Sequence, residues 1–169
     1  MAYYIGQALG ILSTVTALVL PLFKKKWQML VASITCNTLV ILNLILIGEI
    51  SSAIIVNAVM VAQTFLSLWH VQKEKPVTKT ENIMFAVLYV ALGLIGFKRP
   101  IDVLPIIGSE FNMLATFQRD EQKSRVLILF NAVAFGSFYF IVGSTAMFTE
   151  LCAIITTTIA MITYRKKTK

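Results

Sequence analysis

Long apolar runs separated by short polar or basic stretches make up nearly the whole chain. A membrane-spanning helix needs about 20 mostly apolar residues, with about 17 as the lower limit. By this measure the pattern predicts seven spanning helices. Their predicted ranges are Tyr3–Phe23, Trp27–Ile47, Ser52–His70, Glu81–Phe97, Ile101–Phe117, Val126–Val142 and Thr145–Tyr164.

The fifth of these runs, Ile101–Phe117, is the least typical of a membrane span. It contains Pro105, Gly108 and Glu110, and a carboxylate is costly in the hydrocarbon layer. If this run spans, the chain crosses the bilayer seven times and divides into two similar halves. If it does not span, the chain crosses six times and the halves do not correspond.

Basic residues decide between these two topologies, because Lys and Arg accumulate on the cytoplasmic side of membrane proteins. Seven crossings place 13 of the 15 basic residues on one side and 2 on the other. Six crossings divide them 9 to 6. The sequence therefore predicts seven crossings, with the N-terminus outside and the C-terminus in the cytoplasm.

Composition agrees with a multi-pass membrane protein. The chain is 57% hydrophobic and 14% charged, whereas soluble domains carry about 25% charged residues. Its net charge of +7 is explained by basic residues that flank the spans, so it does not indicate a nucleic-acid partner. The expected partners are the lipid bilayer and a small solute.

The spans on either side of the fourth share an order of features. In each half a basic connection precedes a helix with an inner asparagine, Asn37 or Asn131, and a glycine turn follows at Gly48 or Gly143. Three spans end on the opposite side from their start, so a parallel repeat needs one extra crossing. The predicted fold is therefore an all-α membrane protein of seven helices, as two parallel three-helix bundles joined by a linker helix (3+1+3). Its parts are a first bundle (1–70), a linker and fourth helix (71–100), a second bundle (101–164) and a basic tail (165–169).

Three short motifs carry a family resemblance. They are Leu104-Pro105-Ile106-Ile107-Gly108, the run from Ser52-Ala53 to Asn57-Ala58, and the Gly143-Ser144 turn followed by Glu150. Together they resemble the YgjV-like bacterial inner-membrane family over nearly the whole chain. That resemblance implies a topology similar to the SWEET, PQ-loop and PnuC carriers, which are built from parallel three-helix repeats.

The chain also departs from those carriers. It has no Pro-Gln pair, which SWEET and PQ-loop proteins carry in the first helix of each bundle. Trp27 and Trp69 lie at predicted interfaces, whereas PnuC-type carriers place tryptophans in the binding region. The resemblance therefore leaves the substrate open.

Polar side chains inside the spans are the candidate site residues. A charged side chain at the centre of a span costs roughly 2.5–3.5 kcal/mol on insertion scales, so it normally faces a bundle interior or a wet cavity. We expect a polar pocket with Asn57 on one wall and Glu150 on the other. Glu110, Asn37 and Asn131 are further candidates for substrate binding.

Each candidate also has a plain structural interpretation. Asn57, Asn37 and Asn131 can form hydrogen bonds between helices that only hold the helices together. Glu150 can lie near enough to the surface to be solvated, and Glu110 can bond to the serine beside it.

Enzyme chemistry has little support in the sequence. His70 is the single histidine, and no nucleotide-binding loop, His-Glu-x-x-His or Cys-x-x-Cys motif is present. Cys36 and Cys152 lie in apolar runs and are interpreted as packing residues. We expect no enzyme activity, cofactor or metal. The two function classes left open are a small-solute carrier and a non-transporting scaffold or accessory protein, as a monomer or a homodimer.

Overall fold

A computed structural model of the chain describes residues 1–19, 23, 25–75, 78–117 and 121–165. These residues form seven α-helices and a short 3₁₀ turn, Pro100–Asp102, and they contain no strand. The all-helical prediction is therefore confirmed. The helices are α1 (Ala2–Val19), α2 (Lys26–Leu46), α3 (Ser52–Gln72), α4 (Lys79–Ile95), α5 (Val103–Phe117), α6 (Glu121–Ile141) and α7 (Met147–Arg165).

Length and apolar character qualify four of the described helices to cross a membrane. These four lie within α1, α2, α3 and α6, and α7 contributes a shorter apolar stretch, Met147–Ile162. Helices α4 and α5 have 17 and 15 residues. The seven predicted spans thus correspond to seven helices, of which four meet the criterion for crossing.

The contested run from Ile101 to Phe117 is almost entirely helical. The 3₁₀ turn leads directly into α5, whose 15 residues extend about 22 Å at 1.5 Å per residue. Pro105 is fully buried in the first turn of α5, where the N–H that proline lacks would have no partner within the helix. The proline therefore does not break this helix.

The predicted spans Ile101–Phe117 and Val126–Val142 leave 118–125 as a charged loop between them. This prediction is partly wrong, because α6 begins at Glu121. Glutamate, glutamine, lysine and arginine are good helix formers, so the polar residues extend the helix. Ser124 Oγ also donates a 2.9 Å hydrogen bond to the carbonyl of Ala115 and ties the start of α6 to α5. Residues 118–120 lie outside the described residues, as do the predicted end of the first span at 20–22, Pro76 and residues 166–169.

Six of the helices pack in a closed ring. Each helix in the order α1, α2, α3, α5, α6, α7 contacts the next, and α7 returns to α1. Helix α4 contacts α3 and α5 and lies over the seam between them. The ring therefore has two seams between the halves of the chain, α3–α5 and α7–α1.

The α2–α3 and α6–α7 turns have the same backbone geometry. Gly48 (φ 82°) and Gly143 (φ 71°) adopt the left-handed conformation, which only glycine adopts routinely. The residue after each glycine, Glu49 or Ser144, donates its N–H over 2.9 Å to a carbonyl five residues earlier. These two turns lie 95 residues apart, which is also the offset between the ends of α2 and α6 and between the starts of α3 and α7.

The outer surface of the helices is strongly apolar. Ile83 on α4 and Phe140 on α6 are 64% and 72% exposed, and similar side chains lie along every helix. Monomeric soluble proteins rarely expose apolar surface on this scale. This surface is the one that lipid would contact.

Candidate functional site

A polar cavity of about 160 Å³ lies inside the ring. It has room for on the order of five water molecules. Five helices supply its walls, and neither α1 nor α4 contributes a lining residue. The lining residues are Ser33, Cys36, Asn37 and Val40 of α2, Asn57 and Met60 of α3, Asn112 of α5, Asn131, Phe135 and Tyr139 of α6, and Thr149 and Glu150 of α7.

Asn57 and Tyr139 join the two halves of the chain across this cavity. The Asn57 amide nitrogen donates 2.7 Å to the carbonyl of Ala53 and 3.2 Å to the Tyr139 hydroxyl oxygen. Both side chains are almost completely buried. Both amide hydrogens of Asn57 are therefore used by the protein, and its side-chain oxygen is left for another partner.

Glu150 lies in the first turn of α7 and faces the same cavity. Gly136 on α6 allows this approach, since a Cβ at Gly136 would lie 3.2 Å from the Cβ of Glu150. Glu150 interacts electrostatically with Cys36 and Tyr139. Among the described residues, none forms a hydrogen bond with its carboxylate. Glu150 is thus a half-buried acid that presents its oxygens to the cavity.

Asn37 and Asn131 also line the cavity. The side-chain oxygen of Asn131 is buried and has no hydrogen-bond partner among the described residues. By the 95-residue offset, Asn131 corresponds to Cys36, one residue from Asn37. Four of the five predicted site residues therefore surround one cavity, and their role in binding stays a prediction.

Glu110, the fifth predicted site residue, does not line this cavity. One of its carboxylate oxygens is buried without a hydrogen-bond partner among the described residues. Glu110 interacts electrostatically with Tyr89 of α4, whose hydroxyl donates to Gln63 on α3. Glu110 thus belongs to a separate polar group at the α3–α4–α5 junction.

Several lining residues are not among the predicted site residues. Tyr139 and Cys36 are two of them, because an aromatic ring and a thiol in an apolar run are interpreted first as packing. Asn112 was also missed, although an amide two residues from Glu110 was a usable signal. The tyrosine hydroxyl has no sequence signal that distinguishes it from a lipid-facing one.

A group of hydroxyls links α1 to the cavity wall. Ser13 and Thr14 lie 3.1 and 3.0 Å from the Thr149 hydroxyl. The Cys36 thiol donates to the carbonyl of Ser13 at 3.5 Å. Thr149 lines the cavity, so these contacts hold α1, α2 and α7 together beside it.

One end of the ring carries the α2–α3 and α6–α7 turns and is called the turn end here. Polar bonds close it at the α7–α1 seam. Ser144 Oγ donates to the Asn43 side-chain oxygen, and Asn43 Nδ2 donates 2.8 Å to the carbonyl of Gly6. Gln7 accepts from the N–H of Thr145 at 2.9 Å and donates to the carbonyl of Gly143 at 2.7 Å.

The α3–α5 seam is closed at the same end by the fully buried Asp102. Its carboxylate accepts from the backbone N–H groups of Lys98 and Arg99 at 2.8 and 2.9 Å, and Ser52 Oγ donates 2.6 Å to its carbonyl. Arg99 also forms ion pairs with Glu49 and Asp102. Desolvation lowers the pKa of Arg99, but the bonds to the two carboxylates outweigh it, so that pKa lies above its ordinary value.

The described residues offer no metal centre. Nowhere in the described ranges do three or more His, Cys, Asp or Glu side chains come together as a metal site would require. The cavity holds one carboxylate and one thiol among amides and hydroxyls. Its chemistry is that of hydrogen bonding and charge, which suits binding a small polar molecule.

Comparison with known proteins places the chain in a family without supplying a substrate. No curated protein matches it, and no solved structure matches it. A family model, Imp-YgjV, described as a bacterial inner membrane protein, matches residues 4–168. The chain therefore belongs to the Imp-YgjV family of bacterial inner-membrane proteins.

Proposed function

We infer that this protein is a carrier for a small polar solute in the bacterial inner membrane, working by alternating access of two three-helix bundles. The observation that carries this proposal is the polar cavity between the two halves of the chain. Its lining combines Asn37 and Asn57 from the first half with Asn131 and Glu150 from the second. Polar residues at membrane depth are costly, and their convergence on one cavity is typical of a solute pathway.

The order of helices in the ring supports the 3+1+3 arrangement. A two-fold rotation along the membrane normal would exchange α1, α2 and α3 with α5, α6 and α7. It would also exchange the two seams, α3–α5 and α7–α1, both of which are present. The matched turns at Gly48 and Gly143 agree with this exchange. Such parallel repeats are the framework of several carrier folds.

The seams at the turn end support a carrier that closes on one side. Each seam is joined by hydrogen bonds between opposite halves, as at Gln7–Thr145 and Ser52–Asp102. We infer that the seams separate when the cavity opens at this end.

Charge distribution supports the orientation with the C-terminus in the cytoplasm. The turn end carries two of the basic residues, Lys98 and Arg99. Arg99 is paired there with Glu49 and Asp102, which offsets its positive charge. The turn end is then outside, because cytoplasmic connections hold the excess of Lys and Arg.

This role involves no catalysis and no cofactor. Both halves of the cavity come from one chain, so a monomer suffices, and a homodimer is compatible with the exposed apolar faces. The second candidate is a non-transporting scaffold or accessory protein. Its support is the cavity volume of about 160 Å³, below the 300–1,000 Å³ range typical of ligand pockets.

Uptake into proteoliposomes tests the proposal. Purified protein is reconstituted, and exchange of labelled small amines, amino acids, sugars and nucleosides is measured against empty vesicles. Asn131→Leu is expected to reduce uptake, while Thr38→Ala, whose exposed hydroxyl bonds its own helix, serves as the matched control. A folded protein with no uptake and no ligand-dependent thermal shift across this panel would favour the scaffold.

A further inference from the structure

Several oxygen acceptors of the cavity lining have no protein donor among the described residues. They include the Glu150 carboxylate, the side-chain oxygen of Asn131 and the side-chain oxygen of Asn57. The amide nitrogen of Asn57 is held by Ala53 and Tyr139, which leaves its oxygen as the available atom. A molecule in this cavity can therefore donate hydrogen bonds to these oxygens.

The negative charge of the cavity lining also has no positive partner among the described residues. Within the described ranges, the lining contains the Glu150 carboxylate and no lysine, arginine or histidine. The titratable groups that face Glu150 are Cys36 on α2 and Tyr139 on α6, and neither is a cation in any protonation state. A carboxylate removed from water needs a counter-charge to remain ionised. A cationic ligand would supply it.

We propose that the cavity binds the ammonium group of a small amine. An ammonium presents three N–H donors and no acceptor, so it can donate to these oxygens, and its charge offsets that of Glu150. The proposal rests on the carrier function only where it names the amine as the transported substrate. Binding of the amine is argued from the cavity lining alone.

The volume limits the size of the amine. About 160 Å³ corresponds to on the order of five water molecules, so the solute has only a few heavy atoms. Nucleosides and disaccharides exceed this space in the present conformation. Anions are disfavoured because Glu150 would repel them in a low-dielectric site.

Three probes of similar size separate charge from shape. Ethanolamine, ethylene glycol and glycolate are cationic, neutral and anionic, and each is titrated into the purified full-length protein in detergent. Calorimetry and thermal unfolding are measured together. We expect ethanolamine to bind and to raise the unfolding temperature, and the other two to do neither.

Two matched substitutions test the role of the carboxylate. Glu150→Gln keeps the shape and removes the charge, and it is expected to weaken ethanolamine binding by about ten- to a hundredfold. Glu110→Gln makes the same change away from the cavity and is expected to leave the affinity within about twofold. Asn131→Leu is the second cavity variant, used if Glu150→Gln does not elute as a monodisperse protein, and it too must weaken binding.

Several outcomes overturn the proposal. They are equal binding of ethylene glycol or glycolate, unchanged affinity in the cavity variants, binding of Na⁺ or K⁺ but of no amine, and no binding by the folded wild-type protein. Ethanolamine binding without uptake into proteoliposomes would leave the ammonium site and refute the carrier. Uptake of a neutral solute without ethanolamine binding would refute the ammonium site and leave the carrier.

Discussion

The hydroxyl of Ser144 donates a hydrogen bond to the side-chain oxygen of Asn43, although the two residues lie 101 positions apart. The amide nitrogen of Asn43 donates in turn to the carbonyl of Gly6 at 2.8 Å. One asparagine therefore joins α2 to α1 and to the α6–α7 turn. Both Asn43 and Ser144 are almost fully buried, so neither can turn to water if the other is removed.

Replacing this asparagine should destabilise the protein. Asn43→Ala is expected to lower the free energy of unfolding by about 1–3 kcal/mol, because it leaves the Ser144 hydroxyl without its partner. Unfolding in a mixed-detergent titration measures this. Thr38→Ala on the same helix is the control, and an equally small effect of both changes would contradict the prediction.

Gly10 permits the close approach of α1 and the α6–α7 turn. A Cβ at this position would lie 2.2 Å from Thr145 Oγ1, closer than real contacts allow, and 3.0 Å from the N atom of Ala146. Gly10→Ala is therefore expected to cost about 1–3 kcal/mol of unfolding free energy through overpacking. The control is Ile11→Ala on the exposed face of α1. A lower free energy of unfolding for Ile11→Ala alone, with Gly10→Ala unchanged, would show that the seam tolerates the added methyl group.

The topology predicts that Lys98 and Lys123 face opposite sides of the membrane. Single cysteines at these positions, with Cys36 and Cys152 replaced by serine, are treated with an impermeant maleimide in intact cells. Lys98→Cys should be labelled at once, and Lys123→Cys only after the membrane is permeabilised. Labelling of both from one side would rule out seven crossings.

Uptake of an amine should depend on pH through Glu150. A proton and an ammonium compete for one carboxylate, so wild-type uptake is expected to fall as the pH is lowered. Glu150→Gln cannot take up a proton, and its residual uptake should be flat over the same range. Proteoliposome uptake measures both, with Glu110→Gln expected to follow the wild type. Parallel pH curves for Glu150→Gln and wild type would show that the pH dependence of uptake does not come from Glu150.

Helix α4 begins with a capping box at its basic end. Thr78 Oγ1 accepts from the N–H of Glu81 at 3.2 Å, and the Glu81 carboxylate accepts from the N–H of Thr78 at 2.7 Å. Thr78→Ala should lower the free energy of unfolding by about 0.5–2 kcal/mol. Thr80→Ala, inside the same turn, is the control and should change it much less. Equal losses of unfolding free energy in Thr78→Ala and Thr80→Ala would show that helix propensity, and not the cap, causes the change.

Helices and turns followed from local physical chemistry. Apolar runs predict spans because each apolar side chain gains on leaving water wherever it lies on the helix. Gly48 and Gly143 predict turns because glycine alone enters the left-handed conformation without strain. The cap at Thr78 was also predictable, since its partner Glu81 lies three residues away.

The candidate site could be predicted from the sequence only in part. A polar residue in a span predicts an inward-facing side chain, and this reasoning selected Asn37, Asn57, Asn131 and Glu150. It also selected Glu110, which lies near Tyr89 instead. The difference arises because the rotation of α5 about its axis is set by packing on α3, α4 and α6. Patterns among neighbouring residues do not predict that rotation.

The sequence by itself determined that this is a helical membrane protein, where its helices run and which ones carry polar groups, because hydropathy, charge and turn preference act within a few residues. Only the tertiary structure decided which polar groups meet. The Asn57–Tyr139 bond joins residues 82 positions apart, and the cavity takes its shape from five helices at once. Such contacts depend on how whole helices rotate and approach, which is a property of the packed ring.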